Sequence, residues 1–213
     1  MKIQFKKYWR KTSLKDKEDA IFLLSHINEL KPKNILEIGV FHGVTSRNIC
    51  ELLYNIHGNN FKFTGIDLFE INTKNIEDEI PPKTTFSNPL KTFYYSYIAK
   101  EDPYSYESVL KLLKKFKSNI NIIKGNSNKI LQEIKIEVFD YVFLDGGHKY
   151  ETVKNDLNNL TKVIKNYGVI LCDDYNLNYA PGVKKAIDEY VLNNNFELKI
   201  LRSRFAEIKM KIK

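Results

Sequence analysis

The chain has 213 residues, of which 28% are charged, and a formal net charge of +8. That length makes one domain with ample material for a core, and no apolar run approaches the ~20 residues of a membrane-spanning helix. Only four of the 34 basic residues are arginines (Arg10, Arg47, Arg202 and Arg204). Lysine is a flexible point charge and arginine the usual reader of bases and phosphates, so the charge reads as a solvated surface, and nucleic acid is not the expected partner.

Residues 1–11 are basic, with Phe5, Tyr8 and Trp9 interspersed. They form a packing arm, a homo-oligomer contact or part of a substrate wall. The charged start carries no signal-peptide pattern, and a cytoplasmic protein is expected. Ser13-Leu14-Lys15-Asp16 resembles a capping box. The helix it opens has Ala20, Leu23, Leu24, Ile27 and Leu30 on one stripe, and Pro32 stops it. His26 on that helix reads as a surface or boundary residue.

Residues 34–38 form a short apolar strand. Gly39 and Gly43 break it, and residues 44–56 return to a helical rhythm. Strand, glycine turn, helix is the entrance to a nucleotide-type site. The turn lets the backbone approach a ligand, and the helix points its unpaired N–H groups into the same space. A dinucleotide fingerprint would read G-x-G-x-x-G, whereas here the pattern is Glu37-x-Gly39-x-x-x-Gly43. A carboxylate at Glu37 repels a pyrophosphate and attracts a ligand carrying an ammonium and a sulfonium, as S-adenosylmethionine does. Asp67 closes the strand of residues 61–67, 24 positions past Gly43, near the spacing of a ribose-binding acid.

Residues 69–107 are the least regular part, with Pro81, Pro82, Pro89 and Pro103 and a concentration of tyrosine and phenylalanine. A connection this long is either a substrate lid or a surface flap packed on its own aromatics. Regular patterns resume with a helix over 107–116, a strand over 119–124, the turn Gly125-Asn126-Ser127 with a capping residue available, and a short helix over 129–134. A strand over 138–145, a helix over 150–164, a strand over 167–174 and a helix over 182–192 follow. Residues 196–201 and 205–211 make a closing antiparallel pair. Alternating strands and helices predict an α/β fold, a Rossmann-like open sheet that is mostly parallel with helices on both faces. One domain spans 1–213, with 1–31 as its arm and first helix. Cys50 and Cys172 read as buried small hydrophobes.

Ligands of open parallel sheets lie beyond the carboxyl ends of the strands. Asp67, Asp145, Asp173 and Asp174 collect there, with Glu37 beside the turn. Crowded carboxylates repel, and a divalent cation removes that conflict. All-oxygen ligands suit Mg²⁺, Ca²⁺ or Mn²⁺ rather than zinc. His148, three residues after Asp145 in Asp145-Gly146-Gly147-His148, can face the same cavity, with His42 in the glycine turn its one competitor.

On these residues the chain resembles the class I S-adenosylmethionine-dependent methyltransferases, in the group of the macrocin and mycinamicin sugar O-methyltransferases. The resemblance runs from the glycine turn and Asp67 through Gly125-Asn126-Ser127 and Phe143-Leu144-Asp145-Gly146-Gly147-His148-Lys149-Tyr150 to Asp156. It ends in Gly168-Val169-Ile170-Leu171-Cys172-Asp173-Asp174. It implies Mg²⁺ (or Mn²⁺) on Asp145, Asp173 and Asp174, and His148 as base. It also implies cofactor contacts at Glu37, Gly39, Gly43, Asp67, Asn126, Ser127 and Asp145, so Asp145 serves catalysis, cofactor and metal alike. The acid pair is Asp-Asp where some members have Glu-Asp.

The expected reaction is methyl transfer to a hydroxyl. Metal binding through two adjacent oxygens lowers the hydroxyl pKa, and a histidine removes the proton. A sugar or glycan diol and a catechol both fit, and the resemblance favours the sugar. The rivals are a nicotinamide-dependent oxidoreductase, opposed by the glycine spacing and Glu37, a nucleic-acid methyltransferase, and a non-catalytic cofactor-binding module. An amino-group methylase of nucleic acid often carries Asn/Asp-Pro-Pro-Tyr/Phe where this chain has Asp145-Gly146-Gly147-His148.

Overall fold

A computed structural model describes residues 3–70, 84–133 and 139–210. In chain order the elements are α1 (Lys17–Leu30), β1 (Asn34–Ile38), α2 (Val44–His57), β2 (Lys62–Asp67), α3 (Pro89–Phe93), α4 (Tyr106–Leu113), β3 (Ile120–Lys124) and α5 (Ser127–Glu133). β4 (Phe139–Leu144), α6 (Tyr150–Leu160), β5 (Ile164–Cys172), α7 (Pro181–Asn193), β6 (Phe196–Leu201) and β7 (Phe205–Met210) complete them. The sheet order is β3-β2-β1-β4-β5-β7-β6. β1 to β5 run parallel, and β7 is antiparallel to both β5 and β6.

Side chains alternate across a strand, so each strand feeds two cores. Ile35, Phe63, Tyr141, Phe143 and Leu171 pack with Leu23, Ile27, Ile49 and Leu53 of α1 and α2 on one face. Leu36, Ile38, Val142, Leu144 and Ile170 pack with Leu157, Val183 and Ile187 of α6 and α7 on the other. Strands covered on both faces read as unbroken apolar runs for this reason. Cys50 and Cys172 are buried free thiols within these layers.

Four local expectations change. Asp16, not Ser13, caps α1: its carboxylate accepts from the backbone N–H groups of Glu18 and Asp19. Leu30, expected on the buried stripe, is 39% exposed. The helix expected over 150–164 ends at Leu160, and Ile164 instead starts β5 by pairing with Phe139. The pairing then jumps to Tyr141 with Val169, a register shift that leaves Tyr167 outside at 74% exposure. Of the expected elements, Ile134, Val138 and Lys211 lie outside the described residues, as do Pro81 and Pro82. No described helix is long and apolar enough to cross a membrane.

Candidate active site

The strand ladders carry one hydrogen bond past the paired residues, and this aligns the candidate side chains on one edge. Gly39 N–H donates to Ile66 O, Asp145 N–H to Ile38 O, Asp173 N–H to Leu144 O and Gly125 N–H to Asp67 O, each at 2.9 Å. Gly39 has φ +94°, and a Cβ there would lie 2.0 Å from the carbonyl oxygen of Asp145. The turn therefore needs glycine to pass the end of β4, which adds to any need for close approach to a ligand.

Glu37 is fully buried under the turn. One carboxylate oxygen accepts from Ser46 Oγ in the first turn of α2, and Oε1 has no partner among the described residues. Burial raises its pKa from 4.5 to about 8, against the Ser46 hydrogen bond and with a smaller contribution from Asp67. Asp67 accepts from Phe41 N–H (2.7 Å), Phe69 N–H (2.8 Å) and Tyr104 Oη (3.0 Å). Three of about four acceptor positions on this carboxylate are taken, and burial still raises its pKa. Across the Gly125 turn, Asn126 Oδ1 accepts from Asn128 N–H (2.9 Å), while its carbonyl accepts from Lys129 and Ile130. Asn126 thus caps α5, and Ser127 is its first residue.

At the ends of β4 and β5, Asp145 accepts from Ser13 Oγ at 2.6 Å. Burial, then Asp173 and Asp174, push its carboxyl far above the usual range. Both oxygens of Asp173 are held by Arg204, through Nε and, at 2.7 Å, through Nη2. Burial raises the Asp173 carboxyl to about 6 against that ion pair. Burial acts on Asp174 too, but hydrogen bonds from His148 and Tyr179 and the charge of Arg204 outweigh it, leaving this carboxylate below its usual range. Tyr179 Oη donates to Asp174 Oδ1 at 2.8 Å, and His148 Nε2 lies 3.0 Å from Oδ2. An ionised Asp174 can only accept, so Nε2 carries the hydrogen and Nδ1 is the basic nitrogen of the neutral ring.

His42 is a different environment. It is buried with no hydrogen-bond partner for either ring nitrogen among the described residues, and it packs against Phe41, Tyr104 and Phe86. Burial and the nearby Arg10, Lys11 and Lys91 lower its pKa to about 3. It is a neutral wall residue of the turn.

Arg10 makes the N-terminal segment a packing arm. Its guanidinium donates to the carbonyls of His42, Pro103 and Ser108 and pairs with Glu101, tying the arm to the glycine turn and to the 69–107 insert. In the insert, Tyr95 and Tyr104 are buried, whereas Phe93 and Tyr97 are 54% and 70% exposed. Among its described residues, Tyr104 packs on the turn against Phe41 and His42.

The donor set suits a hard divalent cation: three carboxylates in one electrostatic cluster, two of them already facing the cation Arg204. As they stand, each carboxylate is turned to a protein partner, and among the described residues no three acid, histidine or cysteine side chains converge as a metal site. The space between Asp145, Gly146, Asp173, Asp174 and Val183 is about 10 Å³, no more than a single water needs. A roomier cleft of about 660 Å³ lies at the opposite, amino ends of the strands, against Lys33, Lys62 and Lys165. None of the strand-end acids lines it. Ser13, Tyr104, Tyr179 and Arg204 bond to the strand-end acids, a placement that the sequence pattern does not suggest.

A Rossmann-like sheet closed by an antiparallel hairpin, with a glycine turn after β1 and acids after β2, β4 and β5, defines the class I methyltransferase architecture. The chain matches the family described as a methyltransferase domain over residues 36–175 and belongs to that family. Solved structures agree in fold. The SAH-bound methyltransferase PaMTH1 of Podospora anserina superposes with a TM-score of 0.62 at 16% identity, covering 92% of this chain and 80% of that one. The O-methyltransferase NovP gives 0.63 at 19%, covering 90% and 81%. CalS11, a TDP-rhamnose 3′-O-methyltransferase of calicheamicin biosynthesis, gives 0.59 at 17%, covering 90% and 79%. A search of curated protein sequences finds no match.

Proposed function

We propose that this methyltransferase moves the methyl group of S-adenosylmethionine to a hydroxyl oxygen of a small-molecule acceptor, with a sugar or glycan preferred. The observation that carries the reading is the His148–Asp174 contact of 3.0 Å at the strand edge that also bears Asp145 and the glycine turn. When bound, S-adenosylmethionine supplies an electrophilic methyl group on a sulfonium.

The chain's part is positioning and proton handling. Asp67 keeps acceptor capacity for a ribose hydroxyl, and Oε1 of Glu37, without a partner among the described residues, can accept a hydrogen bond from the ligand beneath the turn. Gly39 and Gly43 supply the positive-φ backbone of the turn that would meet the cofactor, and the Asn126–Ser127 turn borders Asp67. His148 takes the acceptor proton on Nδ1, and Asp174 holds the ring and stabilises the imidazolium that forms. Asp145, Asp173 and Asp174 would hold Mg²⁺ or Mn²⁺. Such an ion, when bound, lowers the pKa of a coordinated hydroxyl and orients it. The sugar preference rests on the resemblance and on the TDP-rhamnose acceptor of CalS11.

Radiolabelled methyl transfer to a panel of glycans, phenols and RNA, with and without chelator, tests the reading. Label should appear on a glycan hydroxyl, vanish on chelation and return with Mg²⁺ or Mn²⁺. Transfer to RNA alone, or full activity in excess chelator, contradicts it.

A further inference from the structure

We propose that Arg204 and a divalent cation are alternative partners of Asp173, so that this guanidinium sets how tightly the site takes metal. The inference rests on the reading of Asp145, Asp173 and Asp174 as metal ligands. Arg204 follows the tight β6–β7 turn, where Arg202 and Ser203 have φ of 51° and 54°. Its carbonyl accepts from Tyr175 N–H at 2.9 Å, which pins its backbone beside the acid pair. From that anchor the planar fork engages both oxygens of Asp173, and Nη2 also lies 3.3 Å from Asp174 Oδ1. Asp145 adds to the field on the same guanidinium. One protein cation therefore faces all three acids.

A bidentate fork uses both carboxylate oxygens, and a dication on the same carboxylate would be repelled by the guanidinium. Metal and fork exclude each other on charge and on space, since the gap between the acids is about 10 Å³. An alternative seat for the displaced guanidinium is already present. Nη1 of Arg204 lies 3.9 Å from Asp19 Oδ2 on α1, and Arg202 holds the other Asp19 oxygen at 2.9 Å. A side-chain swing can transfer the fork from Asp173 to Asp19 while the hairpin backbone stays fixed.

Mn²⁺ titration of the full chain by calorimetry and electron paramagnetic resonance, with S-adenosylhomocysteine present, tests this for wild type, Arg204→Met and Arg204→Lys. Arg204→Met, which keeps the apolar stem and removes the charge, should bind Mn²⁺ at least ~10-fold more tightly than wild type. Arg204→Lys, which keeps the charge and loses the fork, should fall between them and carries the test if the methionine variant does not fold. Mn²⁺ should also raise the melting temperature of Arg204→Met more than that of wild type. Equal or weaker binding by variants that are folded by circular dichroism overturns the competition, with wild-type metal binding left standing. Binding to none of the three proteins at millimolar Mn²⁺ overturns the metal reading itself, and the competition with it.

Discussion

Replacing Glu37 with glutamine should make the protein less sensitive to rising pH. In the folded chain burial lifts this carboxyl from 4.5 to about 8, so folding holds a proton that the unfolded chain releases. A raised carboxyl pKa contributes its stability fully below the unfolded value, and that stability is lost as pH climbs toward the folded value. At pH 7 the unfolded state gains about 3 kcal/mol over the folded state from this one group. Glutamine has the same shape and no such ionisation. Urea unfolding of wild type and Glu37→Gln between pH 4 and 8.5 should give curves that diverge above pH 4.5, with the variant relatively favoured by about 3 kcal/mol at neutrality. Asp145 and Asp173 are also raised and slope the same way, but they are common to both proteins and cancel in the difference. Parallel curves across that range would refute the placement of Glu37 as a buried, uncompensated acid.

His148→Ala should lower methyl transfer by ~10²–10⁴, the range for loss of a general base, while S-adenosylhomocysteine affinity measured by calorimetry stays close to wild type. Near-normal turnover would make His148 a loop residue. Arg10→Met strands the carbonyls of His42, Pro103 and Ser108 and leaves Glu101 without its buried partner, so urea unfolding should show a loss of about 3 kcal/mol or more. A loss under about 0.5 kcal/mol, ordinary for a surface site, would deny the arm its structural role.

The parts of the fold legible in the sequence were those set by local periodicity. β1 is readable to the residue because a five-residue segment with Ile35, Leu36 and Ile38 ends in a glycine that nothing else could replace beside Asp145. Strand-end acids were legible because parallel strands all deliver their carboxyl ends to one edge. Contacts that cross long stretches of chain left no local trace. Ser13 looks like a cap beside Asp16 but donates to Asp145, 132 positions away. Tyr104 reaches Asp67 from inside an aromatic-rich segment in which no tyrosine stands out. Arg204 had one faint signal, the scarcity of arginine in a lysine-rich chain. Arg10 and Arg204 both make multiple buried or half-buried bonds that a lysine could not reproduce. The α6–β5 boundary was missed because Ile164 keeps helical spacing with Leu160 yet pairs with Phe139, a choice made by the sheet.

Binding of the methyl donor at the edge formed by Glu37, the glycine turn and Asp67 is tested most closely by direct calorimetry of the cofactor product. S-adenosylhomocysteine should bind wild type stoichiometrically, and at a hundredfold excess over its dissociation constant it should add ~2.7 kcal/mol of stability. Asp67→Ala should weaken that binding by removing the ribose acceptor, and NAD should give no heat. Tight NAD binding with no response to S-adenosylhomocysteine would contradict the account.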